Sequence, residues 1–331
     1  METQQARTLR RARGTLARTL VTALMIVASA CSDAPSHSDG SGSTDVSVPT
    51  SGDTPTIDPV NIAPVDTTGS AAATTAPASP SPSAAELPPS SPVPVDVPGH
   101  GDRPTLLLRA ASDTAPLVVV FHGSRGSIEN VQGRSGLDAA ATAAGVAVLW
   151  LSGKPLPERS WNTNNRCCEP ASTERVDDLG YVDTAIETVE RLGLRPVRMI
   201  TAGVSNGAGM AVSTACKRPR VFSAAVSVAG WMPITCRDRN VSLVAISGTE
   251  DDVIGRRTAR EMATTWRRTV VGCTGDATTL RRGIANISTW VDCAGNTYVR
   301  LALLDGVGHV WPRLGDYDAT DEIITAATSG W

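Results

Sequence analysis

The sequence predicts an α/β fold, with a mostly parallel central sheet flanked by helices on both faces and a long non-globular segment ahead of it. Three observations carry this reading. Apolar runs at 116–121, 146–151, 197–202, 224–229 and 242–246 lack the polar alternation of a half-exposed strand, and such uniformly apolar strands belong in sheets buried on both faces. Segments of helical character fall between them, and strands alternating with helices imply parallel pairing. One run passes through a glycine-flanked turn, Gly203-Val204-Ser205-Asn206-Gly207, straight into small, helix-tolerant residues.

Composition divides the 331 residues into three parts. Residues 1–30 read as a secretory signal: Arg7, Arg10, Arg11, Arg13 and Arg18 form a basic start, 20–28 an apolar core, and Ala28-Ser29-Ala30 a cleavage site. The apolar core is short for a membrane span. Small residues directly before Cys31 resemble a bacterial lipobox, which makes Cys31 the expected lipidation site. Simple cleavage after Ala30 is the alternative, because Ala28 stands where Leu is commoner. Residues 31–102 are rich in Ser, Thr, Pro and Ala. Such a stretch cannot bury enough apolar surface to order itself and reads as a disordered linker, semi-extended by prolines at its end. The domain is expected over 103–331, a usual size for one α/β unit.

Lys and Arg number 30 against 33 Asp and Glu, for a net charge of −3. No basic stripe follows the leader, which excludes nucleic acid as a partner. Seven cysteines point to an oxidising compartment. The expected location is therefore extracellular, secreted or as a cell-surface lipoprotein. Membrane contact is expected only through the lipid, and the domain is expected to be a monomer.

Within the domain, Thr105–Arg109 reads as a first strand and 116–121 as the second, running into His122-Gly123-Ser124. An alanine-rich helix spans Leu137 to Ala144, and 146–151 is the next strand. Residues 152–176 form a long loop. Asp177 or Asp178 caps a helix to Glu190 with Val182, Ile186 and Val189 on one face. Strand 197–202, the Ser205 turn and a helix to Cys216 follow, then strands 224–229 and 242–246, a helix over 256–269, a last strand 298–304 and a last helix 319–328.

G-x-S-x-G between a strand and a helix is the nucleophile-elbow pattern. A serine hydroxyl is a weak nucleophile until a base takes its proton, and histidine is the base suited to neutral pH. The chain has four histidines. His37 and His100 fall in the linker, and His122 sits in the turn after a strand. His309, in the glycine-flanked loop after the last strand, is left as the base. A carboxylate must hold that histidine, and Glu250, Asp251 and Asp252 all lie between Ser205 and His309; all three are acidic, and sequence logic alone leaves them open. The oxyanion donors are expected to be the backbone N–H groups of Asn206 and Ser124. Trp161, Trp231 and Trp311 are expected at the C-terminal rim of the sheet as substrate-binding walls, Trp161 foremost. No spacing suggests zinc, and neither metal nor cofactor is expected.

The motifs in order are H-G at His122, W-N at Trp161, C-C at Cys167, V-D-D-x-G-Y-V from Val176, G-x-S-N-G-A from Gly203, P-x-x-F-x-A-A-x-x-x-A-G from Pro219, G-T-x-D from Gly248 and G-x-G-H-x-W-P from Gly306. Over about 103–313 this chain resembles the secreted polyhydroxybutyrate-depolymerase-like and feruloyl-esterase-like serine esterases, of α/β-hydrolase fold. The resemblance implies Ser205 as nucleophile, Asp251 as acid and His309 as base. It implies a small-molecule or polymeric carboxylic ester as substrate: feruloyl or acetyl groups on polysaccharide, or short polyhydroxyalkanoates. Ser247, Gly255 and Val310 depart from the family's usual His, Pro and Thr, and put the substrate class in doubt rather than the triad. A serine peptidase of the same fold is the runner-up, and a non-catalytic tethered binding protein the reading from another class. Six cysteines besides Cys31 allow fifteen complete pairings. Cys273–Cys293 is expected to staple a peripheral hairpin. Cys216 pairs with Cys236 or with one of the adjacent pair, and a Cys167–Cys168 bond is the strained alternative.

Overall fold

The computed structural model describes residues 91–163 and 167–329. The leader, Cys31 and most of the expected linker lie outside these residues. The described chain forms one ten-stranded sheet with the order β1-β2-β4-β3-β5-β6-β7-β10-β9-β8. Its centre is β3 (Leu117–Phe121), β4 (Ala147–Leu151), β5 (Met199–Val204), β6 (Ala224–Val228), β7 (Ser242–Gly248) and β10 (Val299–Leu304), all parallel. β2 (Thr105–Leu108) and β1 (Val93–Pro94) add antiparallel strands at one edge. The hairpin β8 (Thr278–Arg282) and β9 (Ala285–Trp290) closes the other.

Apolar runs at the centre follow from burial on both faces. Side chains alternate across a strand, so Leu117, Val119 and Phe121 of β3 enter one core while Val118 and Val120 enter the other. The first core is covered by α3 (Asp178–Arg191), α4 (Asn206–Lys217) and α5 (Thr258–Thr265), through residues such as Val182, Val189, Met210 and Met262. The second is covered by α1 (Ile128–Ser135), α2 (Leu137–Ala144) and α6 (Ala319–Thr328), through Val131, Leu137, Ala141 and Ile323. Capping matches sequence: Asp177 accepts from Gly180 N, Ser127 from Asn130 N and Asp318 from Thr320 N.

Several expectations are corrected. The domain does not begin at 103: Val93–Pro94 already pairs with Leu106–Leu107, Val97 is buried, and the ring of His100 lies 5.1 Å from that of Tyr181. These residues lacked an apolar run, but a strand edge needs only backbone partners. The strand expected at 197–202 runs over 199–204, because pairing of Met199 with Leu117 sets its register and leaves Val197 75% exposed. The helix expected over 256–269 ends at Thr265 and continues as a wider turn, Trp266–Val270, in which buried Trp266 donates through Nε1 to the Val241 carbonyl.

Among the described residues, three disulfides are present. Cys273–Cys293 joins the segments flanking the β8–β9 hairpin, Cys216–Cys236 ties the end of α4 to the loop after β6, and Cys167–Cys168 joins adjacent residues. Among the described residues no helix is long and apolar enough to cross a membrane.

Candidate active site

Ser205 occupies the sharp turn between β5 and α4 with φ 56° and ψ −123°, a conformation that L-residues hold only when their surroundings impose it. Here the surroundings do so. Ser205 N donates to Val228 O at 2.9 Å. A Cβ on Gly203 would collide with the Gly207 carbonyl, and one on Gly207 with the carbonyls of Phe121 and His122. Glycine is therefore required on both sides of the serine for helix and strand to approach so closely.

His309 lies in the loop after β10. Its Nδ1–H donates to Asp251 Oδ2 at 2.9 Å. The other oxygen of Asp251 accepts from Val253 N and Ile254 N at 3.1 and 3.0 Å. Asp251 is fully buried, and these donors, with His309, satisfy a carboxylate that burial alone would penalise. Asp252 is exposed, and Glu250 pairs with Arg256 on the surface. The choice between Asp251 and Asp252 thus follows from which carboxyl the turn after β7 directs inward.

The two loops are stitched together. Glu250 N donates to Val307 O, Gly306 N to Thr249 Oγ1, and Thr249 N to Leu304 O, each at 2.9 Å. Gly248 sits where they cross, and a Cβ there would strike the Val307 carbonyl. Gly248→Ala should therefore push the His309 loop away from Asp251. We expect a loss of about 3 kcal/mol of stability, as for overpacked backbone, and a loss of hydrolytic turnover. Thermal melts and ester assays on the same preparation check both.

Ser205 and His309 line one cavity of about 620 Å³, together with Ser124, Val253, Val310 and Trp311. His122 also reaches this wall, but its ring is committed. Nδ1 lies 2.7 Å from Gly123 O and Nε2 accepts from Gly153 N at 2.9 Å. A carbonyl must accept and an N–H must donate, so the ring is neutral with its proton on Nδ1. Burial pushes its pKa down to about 4, with Arg159 and Arg103 adding to the shift and the Gly123 carbonyl opposing it. Between 6.5, its ordinary value, and about 4 the unfolded chain binds a proton that the native ring refuses. Stability should fall as pH drops through that window, by up to about 3 kcal/mol. Denaturant midpoints across it, for wild type and His122→Asn, check this; the variant should lose that share of the slope.

Of the expected tryptophan walls, only Trp311 lines this cavity, and its Nε1 donates to Thr320 Oγ1 at 3.2 Å. Trp161 is corrected to a packing residue. It is 0% exposed, meets Phe121 edge to face at 5.1 Å, and donates through Nε1 to His122 O. Trp231 is corrected too: it lines a separate cleft between the loop after β6 and α5. Tryptophan is drawn to sheet rims and cores alike, and nothing in the sequence separates a wall from a wedge.

Asn206 opens α4, directly after Ser205, and its buried side chain is spent on structure. Its Oδ1 accepts from Trp161 N at 2.7 Å and its Nδ2 donates to Trp161 O at 3.1 Å. The helix N-terminus leaves the first backbone N–H groups without intrahelical partners, and Ser124 lines the facing wall. Sequence reasoning missed the buried ion pair behind this segment. Arg103 donates to Asp178 at 2.6 Å, its guanidinium lies 3.7 Å from the Tyr181 ring centroid, and Asp178 accepts from Asn162 N. Burial raises the pKa of Asp178, and Arg103 opposes that rise. An arginine just before the first expected strand carried no signal in sequence.

No protein-family model matches the chain. It is 36% identical over 129 residues to a protein of Nocardia uniformis subsp. tsuyamanensis described as an esterase, NocK, covering 38% of this chain and 35% of that protein. It is 26% identical over 219 residues to feruloyl esterase B of Piromyces equi, covering 59% of this chain and 39% of that protein. The chain thus spans less than two fifths of either relative. Among solved structures, acetyl xylan esterase from Aspergillus awamori superposes with a TM-score of 0.55 at 17% identity, over 72% of this chain and 100% of that one. The Bacillus cereus carboxylesterase superposes with a TM-score of 0.50 at 13% identity, over 69% and 96%. At these identities the structural likeness speaks for the fold. The described chain has the α/β-hydrolase fold, and over part of its length it is similar in sequence to proteins named as esterases.

Proposed function

We propose that the protein is a secreted serine esterase that cleaves carboxylic esters through an acyl-enzyme. The observation that carries this reading is the hydrogen bond from His309 to buried Asp251, with His309 lining one cavity together with a serine held in a strained elbow. Ser205 Oγ attacks the ester carbonyl while His309 Nε2 takes its proton. Asp251 keeps the proton of His309 on Nδ1 and stabilises the imidazolium that forms. The backbone N–H groups of Asn206 and Ser124 bind the oxyanion. Collapse expels the alcohol, protonated by His309, and leaves acyl-Ser205. Water, deprotonated by His309, then releases the acid and regenerates the serine. No cofactor enters these steps.

The proposed substrates are feruloyl or acetyl esters of polysaccharide, or short polyhydroxyalkanoates; of these, the name of the Piromyces equi relative supports the feruloyl ester alone. An extracellular site is proposed from the leader and supported by the three disulfides; lipidation at Cys31 is proposed from the leader alone. The test is labelling with a fluorophosphonate, followed by peptide mass spectrometry and an ester panel. One adduct, on Ser205, with parallel loss of p-nitrophenyl acetate hydrolysis is expected. An adduct elsewhere, or full activity after labelling, overturns the reading.

A further inference from the structure

The Cys167–Cys168 disulfide has no use in the scheme above, and its place suggests one. A disulfide that encloses a long loop restricts the unfolded chain, and that effect grows with the length enclosed. Cys216–Cys236 and Cys273–Cys293 each bridge a separation of 20 residues, whereas Cys167–Cys168 bridges a separation of 1. Restriction of the unfolded chain is thus least for this bond, and its effect is local. Cys168 takes a left-handed backbone, φ 69°, which a non-glycine residue holds only under constraint.

One half of the bonded pair, Cys168, borders the cavity that Ser205 and His309 line. Cys168 and Glu169 line it together with Val131 of α1 and His309, Val310 and Trp311 of the loop after β10. The position is fixed from the elbow. The Cys168 carbonyl accepts from Ser160 Oγ at 2.7 Å, and Ser160 is fully buried. The next residue, Trp161, is paired through both its backbone N–H and its carbonyl with the Asn206 amide. Asn206 follows Ser205. A short hydrogen-bonded path therefore runs from the residue beside the nucleophile to the sulfur-bearing wall.

We propose that the Cys167–Cys168 disulfide is a specificity-determining wall of this cavity, which contacts the larger, aromatic half of an ester and is positioned by Ser160. This rests on the reading of Ser205 as nucleophile. Divalent sulfur is apolar and polarisable and pairs favourably with aromatic rings. Val131, Trp311 and the exposed Val253 and Val310 supply apolar surface elsewhere on the rim. An ester small in both halves offers no aromatic face to this wall.

The test compares wild type, Cys167→Ser/Cys168→Ser and Ser160→Ala on ethyl acetate, methyl benzoate and phenyl acetate, with kcat and KM measured separately. Ser160→Ala keeps the disulfide, verified by thiol titration, and frees the carbonyl that orients it. The double variant should raise KM for at least one aryl ester by about three- to tenfold, a larger change than it makes to kcat/KM for ethyl acetate. Ser160→Ala should shift the same aryl ester in the same direction, and it decides alone if the double variant does not fold. Equal loss on all three esters, or unchanged KM on both aryl esters, overturns the proposal. Failure of the underlying reading looks different: Ser205→Ala would then retain wild-type activity on every ester, and the proposal would fall with it.

Discussion

Ser205→Ala should lower ester turnover by about a million-fold, the scale of losing a triad nucleophile, with no loss of fold. Alanine keeps the Cβ that the elbow already accommodates at φ 56°, and the backbone bond from residue 205 to Val228 O is untouched. Release of a side-chain hydroxyl from a strained turn should leave the melting temperature equal to or above that of wild type. The measurement is p-nitrophenyl acetate hydrolysis at matched circular dichroism. Retained activity in a folded variant would falsify the proposed mechanism, whereas inactivity with lost structure would call for the labelling experiment instead.

Asp251→Asn should reduce turnover about ten-thousandfold, the effect of turning the base into its wrong tautomer. An asparagine amide placed at Oδ2 presents N–H to His309 Nδ1, which then carries no proton, so Nε2 holds one and cannot take another. If the amide rotates, its N–H groups face Val253 N and Ile254 N, which are donors themselves. Only the rotated arrangement leaves a buried conflict; the first pairs every group and is the one expected, so the rate should fall with little loss of stability. Asp252→Asn is the matched control. That side chain is exposed, and its variant should match wild type in both measurements. If Asp252→Asn proves the damaging change, the acid has been misassigned.

Most of the sheet was legible because burial on two faces leaves a continuous apolar mark. β3, β4, β6, β7 and β10 fell within a residue or two of their expected places. β5 slipped because Val197 is apolar yet outside the pairing, which lies with Leu117 and Met199 rather than with hydropathy. β1 and the packing of His100 were invisible, since edge pairing and a single ring contact leave no periodic trace. At the site, the turns that carry Ser205 and His309 and the acidic cluster between them in sequence were legible, because such turns need glycine at set positions. Trp161 and Trp231 were misjudged because one residue type serves core and cavity alike.

By itself the sequence determined the alternation of strands and helices, the strand–turn–helix around Ser205 and the location of His309 in a glycine-flanked loop. All of these are local properties, written in periodicity and in the residues a tight turn tolerates. Only the tertiary structure decided that Asp251, not Asp252, faces His309, that Trp161 is a wedge behind His122, and that Cys168 of the adjacent pair borders the cavity. Each of these depends on which way a side chain points once distant strands have paired, and neighbouring residues of like chemistry do not record that direction.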